Sequence, residues 1–176
     1  MNSGRRDEEL SGPNLFRIKG DTVVKLTPRS LTDERSLQRL FEFHLRKLLE
    51  VNLLATEYAT GSRHGGRIDT LRIDDQATPV FIEYKRRTTN NLINQGPFYL
   101  DWLHDHRAEF HLLLQQRFGS RPPGSVSWMA PRLICIAPRF HRYDSCAVRQ
   151  ITRRIELVRY RWFGRDLLLL FKEVAE

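Results

Sequence analysis

The residues with the clearest chemical potential lie between Gly66 and Lys85, in the run GRIDTLRIDDQATPVFIEYK. Two apolar, alternating stretches flank the polar segment Asp74 to Thr78, which predicts a hairpin centred on Gln76. In that register Leu71 faces Phe81, Ile73 faces Pro79 and Asp69 faces Glu83. Side chains alternate along a strand, so Glu83 and Lys85 project to the same side. Directly opposed residues hold their Cβ atoms roughly 5 Å apart. Two carboxylates that close destabilise a sheet unless a cation sits between them. A divalent metal ion with Lys85 beside it answers that requirement.

The flanking elements must position this group. A helix is expected to begin near Asp33, capped by Thr32 or Ser30, with Asp33 and Glu34 at its positive end. Leu37, Leu40, Phe41, His44, Leu45, Leu48 and Leu49 recur at helical spacing and form its buried stripe, with Glu42 on the edge. Leu53 to Thr60 reads as a strand and Gly61 to Gly66 as a flexible loop, in which His64 is expected to face solvent. On the second hairpin strand Val80, Ile82 and Tyr84 are expected to face the core. Phe81, Glu83 and Lys85 are expected to face a cleft. Asn91 to Phe118 reads as mostly helix, opened or kinked at Pro97, with Gln95 and Tyr99 on one face. His104, His106 and His111 read as solvated helix surface. Arg132 to Ala137 reads as a buried strand, followed by a helix capped by Asp144 or Ser145. Two final strands, Ile155 to Phe163 and Asp166 to Phe171, turn at Gly164. The succession predicts an α/β fold with a mixed central sheet flanked by helices. A small hairpin, Phe16 to Leu26, precedes it.

Composition narrows the partner. The chain has 176 residues, 40% of them hydrophobic, which suits one ordinary domain over 14–176 behind a disordered polar tail, 1–13. The formal net charge is +8 and the pI is near 10.0, which favours a polyanion, most directly nucleic acid. Only five of the 29 basic residues are Lys, and one of them, Lys85, sits beside the paired carboxylates. Only Lys offers a compact ammonium that exchanges a proton with water. Cys135 lies in an apolar run and reads as a core residue. No apolar run is long enough to span a bilayer and no secretory leader is apparent, so a cytoplasmic protein is expected. Arg67, Arg86 and Arg87 flank the carboxylates and are candidate phosphate contacts.

Asp69 followed by Glu83-Tyr84-Lys85 on a hairpin, with Gln95-x-x-x-Tyr99 on the next helix, resembles the PD-(D/E)XK nuclease superfamily. GRID at 66–69, IEYKR at 82–86, the Gln95/Tyr99 motif and Glu57-Tyr58 are similar to its branch of RecB-like nucleases and archaeal NucS (EndoMS) mismatch endonucleases. The resemblance runs from about Glu34 to Tyr99 and, more loosely, through the C-terminal ICIAPRF and IELVRYRW. Ile68 stands where the superfamily's name has Pro, and no accessory DNA-binding domain is expected. The resemblance implies a restriction-endonuclease-like core and a Mg²⁺- or Mn²⁺-dependent endodeoxyribonuclease. It implies metal ligation by Asp69, Glu83 and the Tyr84 carbonyl, and orientation of the attacking water by Lys85. Glu42 matches an additional acidic position on the first helix, and Gln95 and Tyr99 would position Lys85 or the substrate phosphate. The alternative is a nucleic-acid-binding module of the same fold that does not cleave. A homodimer would fit cleavage of two strands, since one site makes one nick.

Overall fold

The computed structural model describes residues 13–29, 31, 33–86, 95–119, 124–151 and 154–173, with 95–97 described as backbone only. The expected tail apart from Pro13, the caps Ser30 and Thr32, residues 91–94, Arg87 and the side chain of Gln95 lie outside the described residues. The chain divides into two compact units, Met1–Ser30 with Arg161–Leu169, and Leu31–Tyr160 with Leu170–Glu176.

In the smaller unit, β1 (Leu15–Lys19) and β2 (Thr22–Leu26) form an antiparallel hairpin that pairs Leu15 with Leu26 and Lys19 with Thr22. Gly20, at φ 53°, supplies the left-handed residue its tight turn needs. A two-residue β3 (Pro28–Arg29) pairs antiparallel with Trp162 and Phe163.

The larger unit begins with α1 (Glu34–Leu49). Its N-cap is Asp33, whose carboxylate accepts from the Ser36 amide at 2.7 Å and from the Ser36 hydroxyl at 2.8 Å. Leu37, Phe41 and Leu45 are its buried apolar line; Gln38 joins them, and His44, expected in the stripe, is exposed. β4 (Val51–Ala59) follows, then the short α2 (Gly61–His64), β5 (Arg67–Asp74) and β6 (Pro79–Tyr84). Next come α3 (Gln95–Asp105), with Pro97 in its opening turn, and α4 (Arg107–Phe118), with a break between them at His106. β7 (Arg132–Ala137), α5 (Arg142–Gln150), β8 (Arg154–Phe163) and β9 (Leu167–Lys172) complete the chain. α5 starts earlier than expected because His141 caps it, and Asp144 returns the bond to the His141 amide at 2.8 Å.

The sheet of this unit is mixed. β4, β5 and β6 run antiparallel; β7 and then β8 join parallel on the other side of β6. The β5–β6 register is the expected one, from Ile73 opposite Pro79 to Thr70 opposite Ile82. Every residue of β6 is buried, so neither of its faces opens onto a cleft. Val80, Ile82 and Tyr84 lie under α1, where Phe41 meets the Tyr84 ring. Phe81 lies in the other layer with Leu71, Ile73, Leu133, Cys135 and Leu157, covered by Tyr99, Trp102 and Leu103 of α3 and by Phe110 and Leu114 of α4. A strand buried on both faces reads as a continuous apolar run, which is why parallel neighbours tolerate it.

Two irregularities interrupt β4: its register with β5 shifts between Leu53 and Ala55, and Glu57 departs from extended backbone. Glu57, in the middle of β4, has φ 53°, a left-handed conformation that costs an L-residue roughly 1–2 kcal/mol. The side-chain alternation inverts there. Thr56 reaches Glu42 of α1, whereas Tyr58, two residues on, packs edge-on against Trp102 of α3. No helix of the described residues is long and apolar enough to cross a membrane.

Trp102 is fully buried between Tyr58 and His106, so Trp102→Ala is expected to cost about 3–5 kcal/mol. Urea unfolding checks this; a loss below about 1 kcal/mol would mean the α3 layer is not the core.

Candidate active site

The antiparallel ladder between β5 and β6 ends at Thr70 and Ile82. Beyond it, the Asp69 carboxylate takes the place of a strand partner and accepts the Tyr84 amide at 3.2 Å. β6 stays paired with β7 as far as Tyr84, and the Lys85 amide extends that ladder by donating to the Ile136 carbonyl at 2.9 Å. This divergence leaves Asp69 and Glu83 as neighbouring carboxylates at the end of the hairpin.

Glu83 is only 2% exposed, and both of its oxygens are engaged. Lys85 Nζ donates to Oε1 at 2.9 Å, and the Tyr99 hydroxyl donates to Oε2 at 2.7 Å. The same hydroxyl lies 3.2 Å from the Arg67 carbonyl. Tyr99 reaches this point because its ring stacks on Phe81, two residues before Glu83 on the same face. Gly66 permits the approach from β5: a Cβ there would lie 2.8 Å from the Phe98 ring. Burial and then the carboxylate of Glu83 push the Tyr99 hydroxyl well above its ordinary range, so it stays a proton donor.

The electrostatics mark the pair. Burial, followed by the charge of Glu83, raises the Asp69 carboxyl to about 7, against the opposing pull of the Tyr84 amide and Lys85. Burial would lower the Lys85 ammonium, but Glu83, Asp69 and Glu34 outweigh it and hold Lys85 above its usual value. Lys85 therefore enters as a cation, already committed to Glu83. The candidate ligand atoms are the carboxylate oxygens of Asp69 and Glu83, hard ligands that suit Mg²⁺ or Mn²⁺, and a divalent ion would relieve the repulsion that adds to burial in raising Asp69. The residues present fit such an ion.

Other expected residues fall elsewhere. Glu42 is on the α1 side of the sheet. Its Oε1 accepts from Thr70 at 2.6 Å, Thr56 at 3.0 Å and Gln38 at 3.2 Å, and lies 3.9 Å from Arg72. It forms a polar knot under α1, and the structure does not bring it to the Glu83–Lys85 pair. Arg72 is fully buried there; burial draws its guanidinium down to about 10. Glu34, at the first turn of α1, is the helix acid that does reach the site. Its Oε1 accepts the Arg86 amide at 3.2 Å, and its charge acts on Lys85. Its only sequence signal was its suitability for a helix start. Glu57 ion-pairs with Arg67 at 2.8 Å, and its charge also reaches Asp69. Arg86 follows the centre directly in the chain and is half-buried.

His64 is not a solvent-facing loop residue. Its side chain is 4% exposed, set against Phe98 and His106, with Nε2 3.3 Å from Asp101 and 3.8 Å from Asp105. Arg63 pairs with Asp105 at 2.9 Å, so this cluster pins α2 to α3.

No family model matches the chain. A protein of Haemophilus influenzae (strain Rd), described as an uncharacterized protein, is 28% identical over 160 residues, covering 89% of this chain and 51% of that protein. The chain thus spans about half the length of that curated relative. The crystal structure of a repair endonuclease from Pyrococcus abyssi superposes with a TM-score of 0.48 and 19% identity, over 78% of this chain and 51% of that one. A structure of an EndoMS–double-stranded DNA complex gives 0.43 and 14%, over 84% and 64%. At these values neither structure decides the activity of this chain, which rests on the site itself.

Two predictions follow from the geometry. The folded Asp69 carboxyl, at about 7, keeps a proton that the unfolded chain loses near pH 4. The metal-free protein should therefore lose stability as pH rises through that window and level off above it. Asp69→Asn removes this fall, so in EDTA the variant should outlast the parent near pH 8 in urea unfolding; an unchanged slope would exclude Asp69 as the titrating group. Tyr99→Phe keeps the stack on Phe81 but strips a charge-assisted bond from Glu83, and should cost about 1.5–3 kcal/mol in the same assay.

Proposed function

We propose that the chain is a divalent-cation-dependent nuclease that hydrolyses phosphodiester bonds of DNA. The observation that carries this is the juxtaposition of Asp69 and Glu83 at the splayed end of one hairpin, with the Lys85 ammonium bonded to Glu83 at 2.9 Å. The net charge of +8 supports a phosphate backbone as partner.

Asp69 and Glu83 would hold the ion, with the Tyr84 carbonyl as a further ligand. When bound, Mg²⁺ or Mn²⁺ supplies polarisation of the phosphoryl oxygen and acidification of a water. In the reaction a water oxygen bonds to phosphorus, the bond to the leaving ester oxygen breaks with its electron pair, and that oxygen ends protonated. Lys85 orients the water and offsets charge growing on the phosphoryl oxygens. Tyr99 fixes Glu83 from the side opposite Lys85, so the carboxylate cannot swing away when the substrate enters. Glu34 holds the Arg86 backbone at the mouth, and Arg67 and Arg86 are the phosphate contacts.

A second reading is a module that binds nucleic acid without cleaving it. The enclosure of Glu83, with both oxygens already bonded, favours it. Plasmid nicking separates the two. Cleavage is expected with Mg²⁺ or Mn²⁺, none in EDTA, and a loss of at least about a hundredfold in Asp69→Asn and Lys85→Ala. Binding that persists in EDTA with no nicking under any metal would establish the second reading. Equal cutting by parent and variants would overturn the site.

A further inference from the structure

We propose that Glu57 is a positioning residue that holds the Arg67 guanidinium beside the Asp69–Glu83 centre for a phosphate of the substrate. The proposal rests on the nuclease reading and adds a substrate-binding device to it.

Glu57 sits in β4 between the pairs Thr56–Thr70 and Tyr58–Ile68, yet its φ is 53°. That conformation inverts the pleat, sending Thr56 to the α1 side and Tyr58 to Trp102. Inversion needs only the backbone, and glycine or asparagine would supply it at least strain. The chain places a glutamate there instead. Strained residues of this kind persist where the surroundings over-determine them, often at functional sites.

The side chain shows what the glutamate adds. Its carboxylate meets Arg67 at 2.8 Å, with the Arg67 side chain 61% exposed. A half-exposed ion pair contributes little to stability, so the pair does not offset the strain. The main chain of Arg67 also lies close to the centre. Its carbonyl lies 3.2 Å from the Tyr99 hydroxyl, the group that donates to Glu83 at 2.7 Å. Arg67 thus lies beside the centre at its main chain, and Glu57 holds its guanidinium. Arg67 precedes Asp69 by two residues on β5. A guanidinium carries five N–H donors in a rigid fork, so an arginine held by one carboxylate still presents donors to phosphate oxygens. With Glu57 in place those donors keep one direction. Without it the long side chain is free to move in solvent.

The test uses the sign of the effect. Removing a negative charge from a basic protein should, by net charge alone, tighten binding of DNA. Positioning predicts the reverse. Binding of a labelled duplex oligonucleotide in EDTA is measured for the parent, Glu57→Gln, Glu57→Gly, Arg67→Ala and the double variant Glu57→Gln/Arg67→Ala, alongside Mn²⁺-dependent cleavage. Glu57→Gln should weaken binding about fivefold, with the loss in cleavage falling on KM rather than on kcat. Glu57→Gly should melt at a higher temperature than the parent and still lose binding, which separates positioning from folding. The double variant should lose no more than Arg67→Ala alone. If Glu57→Gln binds as tightly as a cleaving parent, or more tightly, the positioning role is overturned and the nuclease reading stands. A parent that neither binds nor cleaves overturns both.

Discussion

The structure turns on a hairpin ladder, β5 with β6, that ends one residue short of two carboxylates. As long as β5 and β6 are laddered, each amide has a strand partner and each side chain has a fixed face. After Thr70 and Ile82 the Asp69 carboxylate satisfies the Tyr84 amide, while β6 stays laddered to β7 as far as the Lys85 amide. Buried backbone donors must be satisfied somewhere, so this exchange fixes where Asp69 lies. Glu83 is then enclosed by Lys85 and Tyr99, and the two acids share a site with one ammonium. The raised Asp69 carboxyl is the electrostatic consequence of that packing.

Both sheet faces contribute to holding the arrangement. On the α3 side Tyr99 stacks on Phe81 and delivers its hydroxyl to Glu83, so an aromatic core contact doubles as a support for a charged group. On the α1 side the Gln38 amide donates to the Asp69 carbonyl at 2.9 Å, while Glu42 binds Thr56 and Thr70. The acid that the first helix contributes near Lys85 is Glu34, from its start. α1 therefore presents different acids to different tasks: Glu34 at the mouth and Glu42 within the layer that supports β5.

Much of this was legible from residue order. The hairpin register followed from one polar turn and a period of two, and Asp33 and Glu34 marked the start of α1. Four features were not legible, each for a physical reason. Which acid of α1 nears the hairpin depends on how the helix crosses the sheet, a long-range packing outcome that helical spacing does not contain. The burial of Phe81 and Glu83 beneath α3 depends on a helix that follows later in the chain, so alternation alone suggested a cleft. The inversion at Glu57 is a backbone event at a residue type that carries no turn signal. The burial of His64 is of the same kind, because Asp101 and Asp105, beside which it lies, are on a helix distant in sequence.

Anomalous diffraction from a crystal soaked in Mn²⁺ tests the central claim most directly. A peak bound by the Asp69 and Glu83 carboxylates, lost in Asp69→Asn, is the predicted result. A peak at His64, Asp101 and Asp105 with none at Asp69, or a peak unaffected by Asp69→Asn, would contradict it.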